Sequence, residues 1–323
     1  MSGFPRLLAD VGGTNARFAW RESAEAPIAD VAAFACRDYP RLQDAAFAYL
    51  RQHAKPAPRC AAIALALPIT GDMVKMTNND WSFSIAEMQC ELGLERLHVL
   101  NDFTALALAL PILQPGELVQ FGGGACVAGA PMALLGPGTG LGVSGLLNPG
   151  PGQHWIALAG EGGHATLPAQ NEREEQVIGV LRRRFGHVSG ERAVSGPGLL
   201  ALYEAVCVLD GLQPLALTPS TVMDLALADP GASHHGPCAE ALQLFCAFLG
   251  TLAGDLALTL GARGGVFIGG GIAPRIGARF AGTPFRERFE AKGRFSAYLG
   301  AIASFVIDAA MSPALRGADQ SLG

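Results

Sequence analysis

The sequence predicts an α/β protein made of two domains with similar topology. Short apolar runs of strand length alternate with longer helix-like segments. The pattern of strand, Gly-Thr turn and strand occurs at residues 7–20 and again at residues 133–147. The chain has 323 residues, more than one hydrophobic core usually fills, since single cores stop growing near about 250–300 residues. Gly-Thr turns are common, so the repeat alone is also compatible with two unrelated turns.

In the first half of the chain, strands and helices alternate up to a linker-like stretch at residues 110–124, which places the main domain boundary near residue 111. Apolar alternation and runs predict strands at residues 7–9, 16–20, 61–67 and 97–100. Helical spacing of apolar residues predicts helices at residues 39–53, at residues 81–93 and from Phe103 onward.

The second half opens with another strand, glycine turn and strand and then becomes mainly helical. Strands are predicted at residues 132–135, 141–147 and 264–268, and helices at residues 172–185, 197–209, 242–262 and 295–311. The helix at 197–209 has Ser195 as a candidate cap. The helix at 242–262 is almost entirely apolar, but Gln243 and Asp255 interrupt it, so we expect a buried core helix and no membrane span.

Composition excludes several functional classes. Half of the residues are hydrophobic and only 16% are charged, which is typical of a folded enzyme and not of a disordered chain. The net charge is −5 and the 23 Lys and Arg are scattered, so we expect no nucleic-acid partner. The first six residues lack the features of a signal peptide, and the seven cysteines form no Cys-x-x-Cys pair. A cytoplasmic protein with reduced thiols is therefore expected.

The two glycine loops are candidate phosphate-binding sites. Gly12-Gly13-Thr14 and Gly138-Thr139-Gly140 can each present backbone N–H groups and a threonine hydroxyl to a phosphate. Neither loop contains lysine, and the chain has no Gly-x-x-x-x-Gly-Lys-Ser/Thr motif, which excludes a P-loop NTPase. A divalent cation would then supply most of the positive charge, and Asp10, at the end of the first strand, could hold Mg²⁺ directly or through water. The alternative is that Asp10 is a turn aspartate that binds local amides.

Asp102 is the candidate general base, because it follows the apolar strand at residues 97–100 and α/β enzymes often place a base at a strand end. It could equally be the N-cap of the helix that starts at Phe103. Glu161 and His164, separated by two glycines, could hold sugar hydroxyls. Glu191 could do the same, although a solvated surface glutamate is the more ordinary role.

Nine motifs in order between residues 10 and 295 give the chain a close resemblance to the bacterial glucokinase family. They are Asp10 to Arg17, Leu67 to Gly71, Met76-Thr77-Asn78, Asn101 to Ala105, Gly136 to Gly142, Gly160 to His164, Ser195 to Gly198, Gly264 to Gly271 and Lys292 to Phe295. The resemblance implies the ribonuclease H-like fold of the actin/hexokinase type, with two α/β domains around a deep cleft. On this basis we expect a small domain at residues 1–110, completed by a C-terminal helix at about 302–323, and a large domain at residues 111–301.

The resemblance also implies the site residues. Phosphates would lie against Asp10, Val11, Gly12, Gly13 and Thr14 and against Gly136, Gly138, Thr139 and Gly140, with adenosine near Gly269 and Gly270. The sugar would contact Asn78, Asn101, Asp102, Glu161, His164 and Glu191, with Asp102 as catalytic base. Asp10 would hold Mg²⁺, through water.

The expected activity is that of a glycolytic kinase which transfers phosphate from MgATP to the 6-hydroxyl of D-glucose, giving glucose 6-phosphate and ADP. The resemblance further implies a homodimer, and no membrane partner is expected. The C-terminal segment at residues 313–318 departs from the family pattern, which leaves the docking of the last helix open. Two alternatives stay open: a kinase for another hexose, and a non-catalytic sugar sensor of the same fold.

Overall fold

The computed structural model describes residues 3–77, 79–228 and 234–323. The strands are β1 Arg6–Val11, β2 Asn15–Arg21, β3 Ala29–Ala35, β4 Cys60–Leu65, β5 Met73–Lys75, β6 Ser82–Ser84, β7 Arg96–Asn101, β8 Leu118–Gly122, β9 Met132–Pro137, β10 Leu141–Leu147, β11 Ile156–Gly160, β12 Val266–Ile268 and β13 Ser304–Ile307. The helices are α1 Leu42–Gln52, α2 Ile85–Glu91, α3 Asp102–Ala109, α4 Glu172–Phe185, α5 Gly196–Leu209, α6 Pro219–Leu227, α7 His235–Leu260, α8 Ile272–Ile276, α9 Phe285–Glu290, α10 Ser296–Gly300 and α11 Pro313–Gln320.

The chain divides into two compact units. The first comprises Met1–Gln114, Pro151–Gly160 and Ala309–Gly323, and the second comprises Pro115–Gly150 and Glu161–Asp308. Compared with the bounds drawn from the sequence, residues 111–114 and 151–160 join the first unit, and residues 302–308 join the second.

The sheet of the first unit has the order β3-β2-β1-β4-β7. β1 is antiparallel to β2 and parallel to β4, and β4 is parallel to β7. The register aligns Val11 with Leu65 and Leu65 with Asn101. Because parallel strands end at the same edge of a sheet, the first glycine loop and Asp102 both follow this carboxyl edge.

Helices cover both faces of this sheet, which explains why its central strands are apolar throughout. Alternate residues of β1 point to opposite faces. Leu7 and Val11 pack in one cluster with Tyr49 of α1, whereas Leu8 packs in another with Leu315 of α11.

The sheet of the second unit contains the same arrangement of strands. β9 and β10 form an antiparallel hairpin, β12 is parallel to β9, and β13 is parallel to β12. The order β10-β9-β12-β13 therefore repeats β2-β1-β4-β7, and β8 adds an antiparallel strand beyond β13. The prediction of two similar α/β units, each opening with a strand, a Gly-Thr turn and a strand, is confirmed.

Helix α7 is the core helix of the second unit. Phe245, Phe248 and Leu249 have no exposed surface, and Gly250 and Gly254 let the backbone of α9 approach closely. Among the described residues, α7 is the one helix long and apolar enough to cross a membrane, and 72% of its most apolar stretch is buried within the fold. This burial is typical of a core helix, as the sequence predicted.

Two helix predictions are wrong in part. Residues 295–311 were expected to form one helix, but α10 ends at Gly300 and Ser304–Ile307 forms β13. The Phe, Val and Ile of this segment suit a buried strand, and pairing with β12 decides the outcome. Likewise, the helix predicted over residues 81–93 begins only at Ile85, because Ser82–Ser84 pairs with β5. Strands β3, β5, β8 and β11 were not predicted from the sequence.

Candidate active site

The first glycine loop is a tight hairpin between β1 and β2. The Gly12 N–H donates to the Asn15 carbonyl at 3.0 Å, and the Thr14 carbonyl accepts from the Cys36 N–H at 2.8 Å. Gly13 and Thr14 line a cavity of about 760 Å³ whose wall also includes Asn79. The Asn79 amide donates to the Gly13 carbonyl at 3.4 Å. The loop is thus held from outside by neighbouring segments while its threonine side chain remains exposed.

Cys36 lies behind this loop and is buried. Its Sγ contacts the Gly12 carbonyl oxygen at 3.7 Å. Burial raises the pKa of the Cys36 thiol, and a contact with Asn79 partly offsets the rise. Since the thiolate is the nucleophilic form, we interpret Cys36 as a packing residue of the loop.

Asp10 lies at the carboxyl end of β1, with its side chain 17% exposed. Its Oδ2 accepts a hydrogen bond from the Ser312 hydroxyl at 2.7 Å and lies 3.8 Å from the Arg17 guanidinium. Both of its contacts with described residues therefore fall on Oδ2, and Oδ1 keeps its acceptor capacity for a ligand.

The structure separates the roles of Asn101 and Asp102. Asn101 is the N-cap of α3: its Oδ1 accepts from the N–H groups of Phe103 at 2.9 Å and Thr104 at 3.1 Å. Asp102 is the first residue of the helix, and its Oδ1 accepts from the Phe103 N–H at 2.9 Å. The N-cap of α3 is therefore Asn101 and not Asp102. The helix dipole at this position stabilises an ionised carboxylate.

Asp102 and the first glycine loop are close neighbours along the sheet edge. Val11 and Asn101 are in register two strands apart, which corresponds to about 10 Å at the spacing of neighbouring strands. A phosphoryl group that extends from the loop and a hydroxyl held by the Asp102 side chain would have to meet between these two backbone positions. This edge can therefore serve both a phosphate and a base.

The second glycine loop also connects two antiparallel strands, β9 and β10. The Gly138 N–H donates to the Gly140 carbonyl at 2.8 Å, and the Gly138 carbonyl accepts from the Gly196 N–H at 2.8 Å. Gly136 is buried inside β9, so only the later part of the predicted loop is accessible. Gly270, with φ of +77°, packs against the Pro137 carbonyl, where a Cβ would lie 2.4 Å from the oxygen.

A cavity of about 310 Å³ opens beside this loop. Its walls come from the loop and from the N-terminal parts of α5, α6 and α8: Gly138, Thr139, Gly196, Pro197, Leu199, Pro219, Ser220, Met223, Ile272 and Arg275. The Arg275 guanidinium donates to the Ser220 hydroxyl at 3.2 Å and to Asp224 at 2.8 Å. An apolar cavity with a few polar groups has the character of a small-molecule site.

Three predicted sugar-binding residues lie on two adjoining turns of the second unit. The Leu167 N–H donates to the Val188 carbonyl and the Gly190 N–H to the Ala165 carbonyl, which ties the two turns together. Glu161 and His164 are both exposed, and Glu161 Oε2 lies 3.9 Å from His164 Nε2. Exposed polar groups at this distance can bind adjacent hydroxyls of one sugar.

Glu191 has a contact that the sequence did not predict. Its Oε2 accepts from the Leu141 N–H at 2.9 Å, and a Cβ on Gly140 would lie 2.4 Å from the same oxygen. Glu191 therefore braces the second glycine loop with one oxygen, and the other remains for a ligand.

Several residues that line the two cavities were not predicted from the sequence, and one predicted residue lies outside the described residues. Ser220 and Arg275 lie 55 positions apart, and only the fold brings them together. Asn79 could have been found, since it adjoins the motif residue Asn78. Asn78 itself lies outside the described residues.

The side chains available near the first glycine loop suit Mg²⁺ better than a metal ion that is coordinated by protein ligands alone. Among the residues that the structure describes, no three His, Cys, Asp or Glu side chains form a cluster. Mg²⁺ is usually bound through one or two carboxylates together with substrate phosphates and water. Asp10, with Oδ1 available beside a phosphate-type loop, matches that pattern.

Comparison with known proteins gives one consistent family. The family model described as glucokinase matches residues 7–322. A glucokinase of Aromatoleum aromaticum is 54% identical over 320 residues, covering 99% of this chain and 95% of that protein. The crystal structure of a glucokinase from an Antarctic psychrotroph superposes with a TM-score of 0.88 at 36% identity, covering 98% of each chain.

A more distant structure shares the fold. A ROK family glucokinase from Streptomyces griseus, solved in complex with glucose and AMPPNP, gives a TM-score of 0.62 at 17% identity and covers 99% of each chain. The similarity at this identity shows the fold alone. The fold is that of the actin/hexokinase type, as the sequence predicted.

Proposed function

This chain belongs to the glucokinase family, and from that membership we propose that it transfers the γ-phosphoryl group of ATP to the 6-hydroxyl of D-glucose, giving glucose 6-phosphate and ADP. The observation that carries the proposal is the match to the family over residues 7–322, at 54% identity to a curated relative. The match includes both glycine loops and the Asn101-Asp102 step. The activity is therefore proposed together with the residues that would perform it.

Asp102 is the proposed general base. As the 6-hydroxyl attacks the γ-phosphorus in line, a carboxylate within hydrogen-bond reach orients the hydroxyl and accepts its proton. Three observations support this role: Asn101 fills the cap position, the dipole of α3 stabilises the carboxylate, and the first glycine loop follows the same sheet edge. Because water can replace glucose as acceptor, orientation of the hydroxyl by Asp102 also favours transfer over hydrolysis.

The proposed sugar ligands are Asn78, Asn101 and Asp102 in the first unit and Glu161, His164 and Glu191 in the second. Carboxylates accept hydrogen bonds from hydroxyls, and an amide or imidazole N–H donates to hydroxyl oxygens. The Asn101 Oδ1 is occupied by the helix cap, so its Nδ2 is the group available to the sugar. Glu191 would bind the sugar with Oε1, because Oε2 holds the Leu141 N–H.

ATP is proposed to place its phosphates against the two glycine loops and its adenosine in the cavity of about 310 Å³ beside Gly138 and Thr139. Phosphate contacts are assigned to Asp10, Val11, Gly12, Gly13, Thr14, Gly136, Gly138, Thr139 and Gly140, with Gly269 and Gly270 near adenosine. Gly136 can act only through its backbone position, since it is buried in β9. When bound, Mg²⁺ neutralises phosphate charge, and Asp10 would hold it through water.

We also propose that the protein is a cytoplasmic homodimer without nucleic-acid or membrane partners. All seven cysteines are free in the structure, which is compatible with a reducing compartment. The long apolar helix α7 is accounted for by burial within its own unit. Light scattering on the purified protein would test the dimer: a mass near twice 33.4 kDa is expected, and a monomer at micromolar concentration would contradict it.

The test of the proposed function is a matrix of sugars against phosphoryl donors. Purified protein is assayed with glucose, fructose and mannose, each with MgATP, MgADP or polyphosphate, and kcat/KM is compared. The proposal expects glucose with MgATP to give the highest value. A higher kcat/KM for another hexose would support the alternative kinase, and tight glucose binding without ADP release would support a sensor.

A further inference from the structure

We propose that Ser312 is a positioning residue that orients Asp10 for the metal-bound phosphates of the nucleotide. This inference rests on the proposed function and adds a residue from the C-terminal segment to it. The Ser312 hydroxyl donates to Asp10 Oδ2 at 2.7 Å, across 302 positions of sequence. Both residues belong to the first unit.

The first argument is that the Ser312 side chain does not cap helix α11, although Ser312 is at the N-cap position. It is the N-cap residue of α11, where a serine hydroxyl normally accepts a backbone N–H from the first turn. In this chain, the other α-helices with Ser, Thr or Asn at the N-cap all have that bond, with caps Ser84, Asn101, Asn171, Ser195 and Thr218. Ser312 has no such bond. Its hydroxyl is turned from the helix to Asp10.

The second argument is that α11 is anchored by contacts that do not involve Ser312. Gly317 packs directly on the Ala105 carbonyl of α3, and Leu315 is fully buried under the sheet. Asp319 forms a buried ion pair with Arg6 at 2.8 Å. The helix therefore presents Ser312 to Asp10 as a fixed donor, and loss of the hydroxyl should leave the helix docked.

The third argument is what the contact does to the Asp10 carboxylate. Ser312 and Arg17 both contact Oδ2, which restrains the side-chain torsion and leaves the acceptor capacity of Oδ1 for a ligand. A carboxylate that holds a metal ion through water must keep its oxygen in place, and partners behind the ligand typically maintain metal affinity.

The test measures metal binding directly, apart from catalysis. Mn²⁺, used as a spectroscopic probe for the Mg²⁺ position, is titrated into the protein–ADP complex, and free Mn²⁺ is followed by electron paramagnetic resonance. Ser312→Ala should weaken Mn²⁺ binding about fivefold, since it removes a hydrogen bond to a charged group. Ser312→Thr keeps the hydroxyl and should restore the affinity. Ser321→Ala is the matched control, because Ser321 lies at the other end of α11 and its hydroxyl donates to the local Ala318 carbonyl.

A double substitution separates positioning from a structural effect. In the Asp10→Asn background, Ser312→Ala should produce no further loss of Mn²⁺ affinity, because its partner is already removed. In the rate assay, Ser312→Ala should raise the Mg²⁺ concentration for half-maximal rate by a similar factor and leave KM for glucose unchanged.

Two results would overturn the inference: Mn²⁺ affinity of Ser312→Ala within twofold of wild type, or a further fivefold loss in the Asp10→Asn background. The proposed function fails separately. If wild-type protein binds Mn²⁺ with ADP in a Ser312-dependent way and phosphorylates no hexose, only the function is wrong. If it phosphorylates glucose and Mn²⁺ binding ignores Ser312, only the positioning role is wrong.

Discussion

Replacing Gly317 with alanine should destabilise the first unit and slow the reaction, because this residue is where α11 touches α3. A Cβ at position 317 would lie 1.6 Å from the Ala105 carbonyl oxygen and 2.6 Å from its carbon. Carbon and oxygen atoms in such helix contacts are normally about 3.3 Å apart, so the helices must separate by about 1.7 Å. Backbone atoms on both sides leave no flexible group that could absorb the change.

The expected cost follows from that displacement. Overpacking of a well-packed contact costs about 1–3 kcal/mol, occasionally more. Alanine also stabilises the folded state by about 0.4–1 kcal/mol, because it has less conformational freedom than glycine in the unfolded chain. We expect a net loss of about 1–2 kcal/mol. Asp102 begins α3 three residues before Ala105, and a 1 Å misplacement of a catalytic group can cost about 100-fold in rate. We therefore expect kcat to fall by about 10- to 100-fold.

The assay combines urea denaturation with steady-state kinetics. Gly179→Ala in α4 is the matched control, because Gly179 is also a helical glycine but a Cβ there meets no atom within 4 Å. That variant should be more stable by about 0.5–1 kcal/mol with unchanged kcat. A Gly317→Ala protein with wild-type stability and rate would refute this reasoning.

Three further predictions concern other parts of the chain. Gly140→Ala should displace the Glu191 carboxylate from the second glycine loop and lower kcat/KM for both substrates by about tenfold. Steady-state kinetics with glucose and ATP varied in turn would measure this, and an effect on ATP alone would contradict the contact of Glu191 with the loop. Arg275→Ala should raise KM for ATP about fivefold with KM for glucose unchanged, and equal increases in both would contradict the assignment of the cavity. Burial lowers the pKa of His98, and its Nδ1 has no hydrogen-bond partner among the described residues. The unfolded state therefore takes up a proton more readily than the folded state, and the free energy of unfolding should decrease as pH falls below about 6.5. His98→Gln should lose less stability than wild type between pH 7.5 and 5.5 in urea titrations, and an equal loss in both proteins would show that His98 is not responsible.

Where local chemistry decides the structure, the sequence is a good guide. Helix α4 runs over the predicted residues 172–185, because Asn171 caps its start and Gly186, with φ of +72°, ends it. The two glycine hairpins were also visible, since Gly-Thr turns between apolar runs leave few alternatives.

Where pairing with a distant segment determines the secondary structure, the prediction from the sequence was wrong or missing. Ser304–Ile307 continues a helical pattern but becomes β13, because pairing with β12 outweighs local preference. Strand β3 is mostly alanine and exposed, and its pairing with β2 alone defines it. The neighbouring caps Asn101 and Asp102 could be distinguished only by seeing which oxygen accepts the first N–H groups.

The candidate site follows the same rule. Motif residues can be proposed one by one from the sequence, because their types fit phosphate, metal and sugar chemistry, and their roles stay predictions. Their supporting contacts cannot be proposed in this way: the hydrogen bond of Ser312 to Asp10 and the brace of Glu191 on Leu141 join residues 302 and 50 positions apart.

The most direct test of the central claim is kcat of the Asp102→Asn variant with glucose and MgATP, measured by detection of glucose 6-phosphate. Asparagine keeps the shape of the side chain but cannot accept the hydroxyl proton. A general base contributes about 10²- to 10⁴-fold, so kcat should fall by about 10³-fold, while the Kd for glucose changes only severalfold. A variant that phosphorylates glucose within threefold of the wild-type kcat would contradict the role of Asp102 as the base.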